Sequence, residues 1–314
     1  MNLKYMDYFE WQTFLLILLC YTLWFSLILA GGLIPTPIWI IALALATTLF
    51  LSILHETVHG HPTPDAMLNR MLVALPIGWL FPYERFRDTH LQHHDTGELT
   101  DPLDDPESWY VYAREWETLG PVLKVILTFN NTLAGRMLIG PAITLIRFLQ
   151  AEISIFAKTR EIRSYLLGAW SLHIFLCALL IVFIANFGSQ PLWAYVAGAY
   201  LGFSVLLIRT FLEHQSAENF LERTVVIEKC CPVAFLFLFN NLHALHHEKP
   251  GIPWYRLPGE FRKHRERLLA SNNYYVYRSY GDVFAKYFLR PKEPVIYPPD
   301  VTQPDPARLA QETV

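Results

Sequence analysis

The sequence predicts an all-α integral membrane protein: four transmembrane helices in two hairpins, with a cytoplasmic helical cap that gathers most of the histidines. Three observations lead there. The 314 residues are 53% hydrophobic and only 17% charged, whereas a soluble globular chain carries about 25% charged residues. Four apolar runs approach or reach the roughly 17–25 residues that a bilayer-spanning helix needs. Nine of the 12 histidines lie in three tight clusters close to those runs.

The elements follow in chain order. Residues 1–10 carry one basic group, Lys4, and no small-residue cleavage site follows the first apolar run. Residues 11–30 therefore read as a retained anchor and not as a signal peptide. Gly31, Gly32, Pro35 and Pro37 mark a tight turn into a second span over 37–54, whose polar end begins the first histidine cluster. The stretches 71–81, 122–155 and 232–239 are too short or too interrupted to span, and read as helices on or partly in the membrane surface. The alternative for 122–155 is a fifth span. The third and fourth spans are 165–185 and 192–212, joined by a turn over 186–191. Trp11, Trp39, Trp170 and Trp193 sit near run ends, as interfacial anchors do. Residues 1–290 read as a single membrane domain. Residues 291–314, with Pro294, Pro298, Pro299, Pro304 and Pro306, read as a flexible tail.

Charge placement gives an orientation. No Lys or Arg occurs over 5–69 or 164–208. The positive-inside rule then puts both termini and every histidine cluster on the cytoplasmic side, and the two turns outside. In a bacterium this is a multi-pass protein of the inner membrane. A net charge of -3, without an arginine-rich stripe, excludes a nucleic-acid partner. The four cysteines form no CxxC pair, so they read as buried thiols and not as a disulfide or zinc framework. Acylation is the alternative for Cys230 and Cys231.

The clusters read His55-Glu-Thr-Val-His59, with His61 just beyond, His90-Leu-Gln-His93-His94 and His243-Ala-Leu-His246-His247. Spacings of three and four share one helix face. A neutral imidazole presents a lone pair to a metal near physiological pH. A lone histidine is commonly structural, but eight at ligand spacing on one predicted side point to metal. A tetrahedral zinc takes four ligands, so eight or nine imidazoles need two ions, and the cap becomes a dimetal site. Imidazole suits zinc, copper, iron and nickel alike. Open positions without thiolates suit iron and dioxygen.

Neighbouring polar residues have humbler readings. Glu56 is expected to orient an imidazole through its ring N–H. His61 is a weaker ligand candidate, because its position points to another face and Pro62 breaks the helix; it is kept with Glu56 as a supporting group. Asp101, Asp104, Asp105 and Glu107 are expected in turns and a helix cap, with support of the metal site as the alternative. His173 reads as a satisfied intramembrane polar residue. His264 lies in a basic run that reads as a solvated face or a contact to anionic lipid, with docking of an acidic electron carrier as the alternative. A rival takes the first cluster as HExxH, the zinc metalloprotease signature with Glu56 as general base. It leaves two complete HxxHH clusters idle.

Three boxes in this order around four spans resemble the membrane fatty acid desaturase superfamily, over about residues 11–260. The resemblance implies two iron ions held by His55 and His59, by His90, His93 and His94, and by His243, His246 and His247. It also implies one histidine near the end of the fourth span, a place that His214 fits. The implied activity is dioxygen-dependent desaturation of an acyl chain of a fatty acid or lipid. Hydroxylation, ketone formation and non-fatty-acid substrates also occur in the superfamily. The chain has no His-Pro-Gly-Gly motif of a fused haem domain. The resemblance therefore implies a separate electron donor, ferredoxin-like or a small haem cytochrome, with its reductase.

Overall fold

The computed structural model describes residues 9–298 and is mostly helical. The first helix, α1 (Trp11–Ala30), ends in a 3-10 turn at Gly31–Leu33. Next comes α2 (Thr36–Val58), with proline in its first turn, where the missing N–H would have no partner anyway. This helix outruns the apolar stretch that predicted 37–54. Its last turn continues through His55, Glu56, Thr57 and Val58, all buried, because they face protein and not lipid. Gly60 follows at φ 91, the left-handed conformation that ends helices at little steric cost.

Asp65 caps α3 (Ala66–Leu72), its Oδ1 accepting from the Met67 and Leu68 amides at 2.8 and 2.9 Å. Of the surface helix expected over 71–81, only Met71 and Leu72 are helical, as the end of α3. Pro76 lacks a donor, and Trp79 sits at φ 55, so the chain runs irregularly into α4 (Tyr83–Asp95), which carries the second box. The stretch 122–155 is covered by short helices: after α5 (Ala113–Thr118) come α6 (Pro121–Asn130), α7 (Leu133–Leu138) and α8 (Gly140–Phe156). Breaks at Asn131 and Ile139 keep α6 and α7 well below spanning length, and α8, 17 residues long, carries Arg147 and Glu152. Thr159 caps α9 (Arg160–Phe187), which starts five residues before the expected 165. After α10 (Leu192–Glu213) come the short α11 (Pro232–Leu236), then α12 (His243–Glu248) with the third box, α13 (Leu257–Ser271) and α14 (Tyr280–Tyr287). The apolar stretch to 239 is only half helix, since Leu238 and Phe239 lie at φ 51 and 56.

Among the described residues, four helices are long and apolar enough to cross a membrane: α1 with its 3-10 turn, α2, α9 and α10. No fifth appears over 122–155. Two other expectations are corrected. The chain is not wholly α, because β1 (Val226–Ile227) pairs in parallel with β2 (Val276–Tyr277), Val226 opposite Val276. The segment from 291, expected to be loose, is packed as far as it is described. Val111 and Tyr297 donate to the carbonyls of Val295 and Val111 at 3.0 and 2.9 Å, and Tyr297 is buried. The rest of that tail lies outside the described residues.

Packing brings the polar ends of α2 and α10 together. A Cβ on Gly198 would stand 2.7 Å from Leu43, and one on Gly202 would stand 2.7 Å from Thr47 and 2.8 Å from the Ala44 carbonyl. The Thr48 hydroxyl donates to the Gly202 carbonyl at 2.9 Å. Small residues permit such close approach where apolar surroundings offer little drive for helix association. α1 joins through Trp39 Nε1, which donates to the Leu27 carbonyl at 2.8 Å. α1 and α9 turn Leu18, Leu19, Ile174 and Phe175 outward, an exposed apolar surface that a water-soluble protein would cover. The turns before α2 and α10 touch: Ser189 N–H donates to the Ile28 carbonyl at 2.7 Å, and Gln190 Nε2 to the Gly31 carbonyl at 3.2 Å. The far ends of α2 and α10 meet α4 and α12.

Candidate metal centre

Four elements deliver nine imidazoles to one place. The last turn of α2 supplies His55, and His59 follows as its C-cap. α4 supplies His90, His93 and His94, and α12 supplies His243, His246 and His247. His214 is the C-cap of α10, extended at φ -130 and bridged to Thr224.

The imidazoles fall into two groups: His55, His59, His90, His94 and His246, and His93, His214, His243 and His247. Within each group one nitrogen per residue lies within 4.8 Å of all the others. Each HxxHH box is therefore divided. His90 and His94 join the first group while His93 joins the second; His243 and His247 join the second while His246 joins the first. Helical geometry accounts for this. At about 100° per residue, positions i and i+4 differ by only about 40°, while i+3 falls about 60° to the other side.

The ring nitrogens are spaced as ligands would be. His59 Nε2 and His90 Nε2 are 3.0 Å apart, His214 Nε2 and His243 Nε2 3.0 Å, and His94 Nε2 and His246 Nε2 3.1 Å. Two imidazoles bonded at about 2.1 Å at right angles on one ion would stand about 3.0 Å apart. His93 Nε2 and His247 Nε2 are buried without a hydrogen-bond partner. The donor set fits a cation in each group.

For three of the imidazoles an acidic or amide side chain holds the other ring nitrogen. His93 Nδ1 meets Asp105 Oδ1 at 2.7 Å, and His90 Nδ1 meets Glu107 Oε1 at 2.7 Å. His243 Nδ1 lies 3.2 Å from Asn240 Oδ1 and 3.4 Å from Glu213 Oε1. A carboxylate on Nδ1–H leaves the lone pair on Nε2. Asp101 makes the expected turn, accepting the Leu103 and Asp104 amides at 2.8 and 3.1 Å. Asp105 also accepts turn amides, from Thr100 and Glu107 at 2.8 and 2.9 Å, and with Glu107 takes the alternative role of orienting box histidines. An acidic turn shortly after a histidine box was the signal available for them. Asn240 and Glu213 had none beyond their places beside His243 and His214.

Burial first, and then neighbouring imidazoles, set the charge. Burial pushes His59, His243, His246 and His247 well below the ordinary histidine range, with nearby imidazoles adding to it. His94 falls to about 2 for the same reasons, in the same order. Such rings are neutral and offer lone pairs. For His93 burial pulls downward, but Asp105 and Glu107 together outweigh it and raise the group to about 9. Burial would raise Glu107, yet His93 and His90 hold it below the usual carboxylate range.

Glu56 does something other than orient a box imidazole. Its Oε1 accepts the Trp254 backbone N–H at 2.8 Å and stands 3.9 Å from His61 Nε2. His61 joins neither group; its Nδ1 meets Glu10 Oε1 at 2.8 Å. His173 lies 3.6 Å from Cys177 Sγ. His264 is on the exposed side of α13, 3.9 Å from Glu260.

A cavity of about 690 Å³ reaches His55, His90 and His214, within the size range of small-molecule sites. Its apolar end, at Leu51, Phe81, Phe203 and Leu206, continues into a second cleft of about 70 Å³ lined by those same residues.

A family model described as fatty acid desaturase matches residues 34–279, a stretch that contains all nine grouped histidines. No curated protein matches the chain.

Proposed function

The chain belongs to the fatty acid desaturase family, and we propose that it is a dioxygen-dependent di-iron membrane oxidoreductase that introduces a double bond into an acyl chain of a fatty acid or lipid. The observation that carries this reading is the pair of imidazole groups, five and four, at the polar ends of apolar helices. His55, His59, His90, His94 and His246 would hold one ion, and His93, His214, His243 and His247 the other. Bound iron would supply the redox chemistry that oxidation of an unactivated C–H bond requires.

The chain's own residues do the rest. Asp105 and Glu107 hold the Nδ1 sides of His93 and His90, so that both Nε2 atoms face inward, where a bound cation would take the place of the Nε2 proton of His93. Arg209 pairs with Glu213 at 2.7 Å, which holds that carboxylate beside His243. The cavity positions a substrate carbon near the imidazoles and limits water there.

The proposed topology has two hairpins, α1–α2 and α9–α10, with the centre and both termini on the cytoplasmic side. It is supported by the touching turns and by the basic residues lying with the boxes. Electrons would come from a separate ferredoxin-like protein or small haem cytochrome with its reductase. Against the zinc protease alternative stands Glu56, whose carboxylate is taken by the Trp254 amide and faces His61.

Elemental analysis and product profiling test the proposal together. Protein purified from iron-supplied cells should approach two irons per chain. Lipid extracts of an expressing strain should contain a new unsaturated species by mass spectrometry, and a hydroxyl or keto product would identify the sister reaction. One zinc per chain with peptidase activity would overturn the proposal.

A further inference from the structure

We infer that the cavity beside the imidazoles takes a substrate with a compact anionic group, a carboxylate or phosphate, seated by Arg136 and Arg147 beside Trp109. This rests on the oxidoreductase reading and narrows its substrate to an amphipathic anion.

Three cations in the cavity wall are already matched. Arg85 is paired with Glu152 at 2.9 Å, Arg209 with Glu213 at 2.7 Å, and Lys292 with Glu293 at 2.6 Å. Lys158 is at the exposed rim, and Arg136 and Arg147 also line the cavity. Among the described residues, neither has a carboxylate within ion-pair distance. Arg136 is 3% exposed. Its Nε donates to the Asn130 carbonyl at 3.2 Å, and its buried Nη1 has no partner. A buried guanidinium edge without an acceptor is costly, and native structures rarely leave one so.

The geometry leaves that edge available. The Arg136 guanidinium carbon stands 3.5 Å from the centre of the Trp109 ring, and that of Arg147 6.0 Å. Stacking uses the face of the guanidinium and leaves its in-plane donors for a planar or tetrahedral oxyanion. Two guanidiniums around one indole repel each other, and an anion between them relieves that repulsion. Arg136 is lowered to about 9, by burial first and by Arg147 second, as expected for a cation that awaits a counter-charge. The nearest acidic influences are Glu293 on Arg136, and Asp105 and Glu115 on Arg147. Glu293 already serves Lys292, and Asp105 serves His93. The same cavity becomes apolar at Phe81, Phe203 and Leu206, so a hydrocarbon portion has its own end.

Binding to the protein in phosphatidylcholine nanodiscs tests this, with empty discs as background and dodecanoate, dodecyl phosphate and dodecan-1-ol as probes. At least one anion should bind about tenfold or more tighter than the alcohol, the value of one charge-assisted hydrogen bond. Whichever anion is preferred names the head group. Arg147→Gln breaks no hydrogen bond of the structure, and should erase the preference while leaving alcohol binding, melting temperature and metal content unchanged. Arg136→Gln should erase it too, with a lower melting temperature because the Nε bond to the Asn130 carbonyl goes, and Arg136→Lys should restore part of it. Equal affinity for charged and neutral probes overturns the inference, as does a preference that survives both Gln variants. Iron content, measured on the same samples, separates the two levels. Two irons without anion preference sinks only the head-group assignment; anion preference without iron sinks only the oxidoreductase reading.

Discussion

Replacing Asp105 by Asn keeps the side chain's size but removes the carboxylate charge beside the Nδ1 proton of His93 and puts an amide NH2, a donor, within reach of that nitrogen. The ring is then free to turn or to change tautomer, and its Nε2 no longer points inward by default. Asp105→Asn should weaken metal binding about 10–100-fold, measured by competition with a chromophoric chelator. Unchanged affinity would detach Asp105 from the centre. His214→Ala removes one of four imidazoles in the second group; metal content should fall from two per chain toward one, and product formation should stop. His61→Ala should keep both, because His61 bonds Glu10 and joins neither group. Full activity in His214→Ala would remove that residue from the ligand set. The nine grouped histidines could be named from spacing and resemblance alone, since helical periodicity is local. The split of each HxxHH box, i with i+4 and i+3 apart, follows from that periodicity too; which halves share a group was not visible, because whether His93 meets His214 depends on how α4 meets α10 and α12. For Asp105 and Glu107 support of the metal site stood only as the alternative, because their turn also reads as an ordinary acidic loop.

Among the elements, the α2–α10 contact sets where the boxes meet. Gly202→Val would push a branched side chain into Thr47 and the Ala44 carbonyl, both closer than 3.0 Å to a bare Cβ. Overpacking of this kind costs about 1–3 kcal/mol. The variant should melt lower in detergent and bind metal less completely, because the helix ends carrying His55 and His214 are forced apart. Gly168→Ala on α9 is the control. Nothing lies within 4 Å of a Cβ there, so it should be neutral or stabilise by about 0.5–1 kcal/mol through backbone entropy. A Gly202→Val protein with unchanged melting would show that the glycine stripe is not needed for close packing. All four long helices were legible in the sequence, because each is a sustained apolar run. Their ends were less so: α2 keeps helical geometry through His55–Val58 although hydropathy falls, since protein and not water receives those side chains. The segment 71–81 is apolar enough to suggest a helix, which Pro76 prevents, and the β1–β2 pair is invisible because two residues per strand leave no alternating pattern.

For the whole molecule, orientation is the decisive test. Reporters inserted at Thr36 and Ser189 should read external, and reporters at Asp65, Glu161 and the C-terminus cytoplasmic, by the distribution of Lys and Arg. An external Glu161 with a cytoplasmic Asp65 would put the third box across the membrane from the first two and rule out a shared centre. The division of each HxxHH box has a further consequence, one of mechanics. With His93 on one group and His90 and His94 on the other, α4 cannot rotate to suit one ion without disturbing the seat of its neighbour, and α12 is bound by the same constraint. The first ion to enter would lock both helices in azimuth and so prepare the second seat. Loading should then be cooperative: a metal titration of the stripped protein should rise more steeply than for independent sites, with little singly loaded species by native mass spectrometry. A substantial singly loaded population at half saturation would mean the helices turn more freely than this interlock permits.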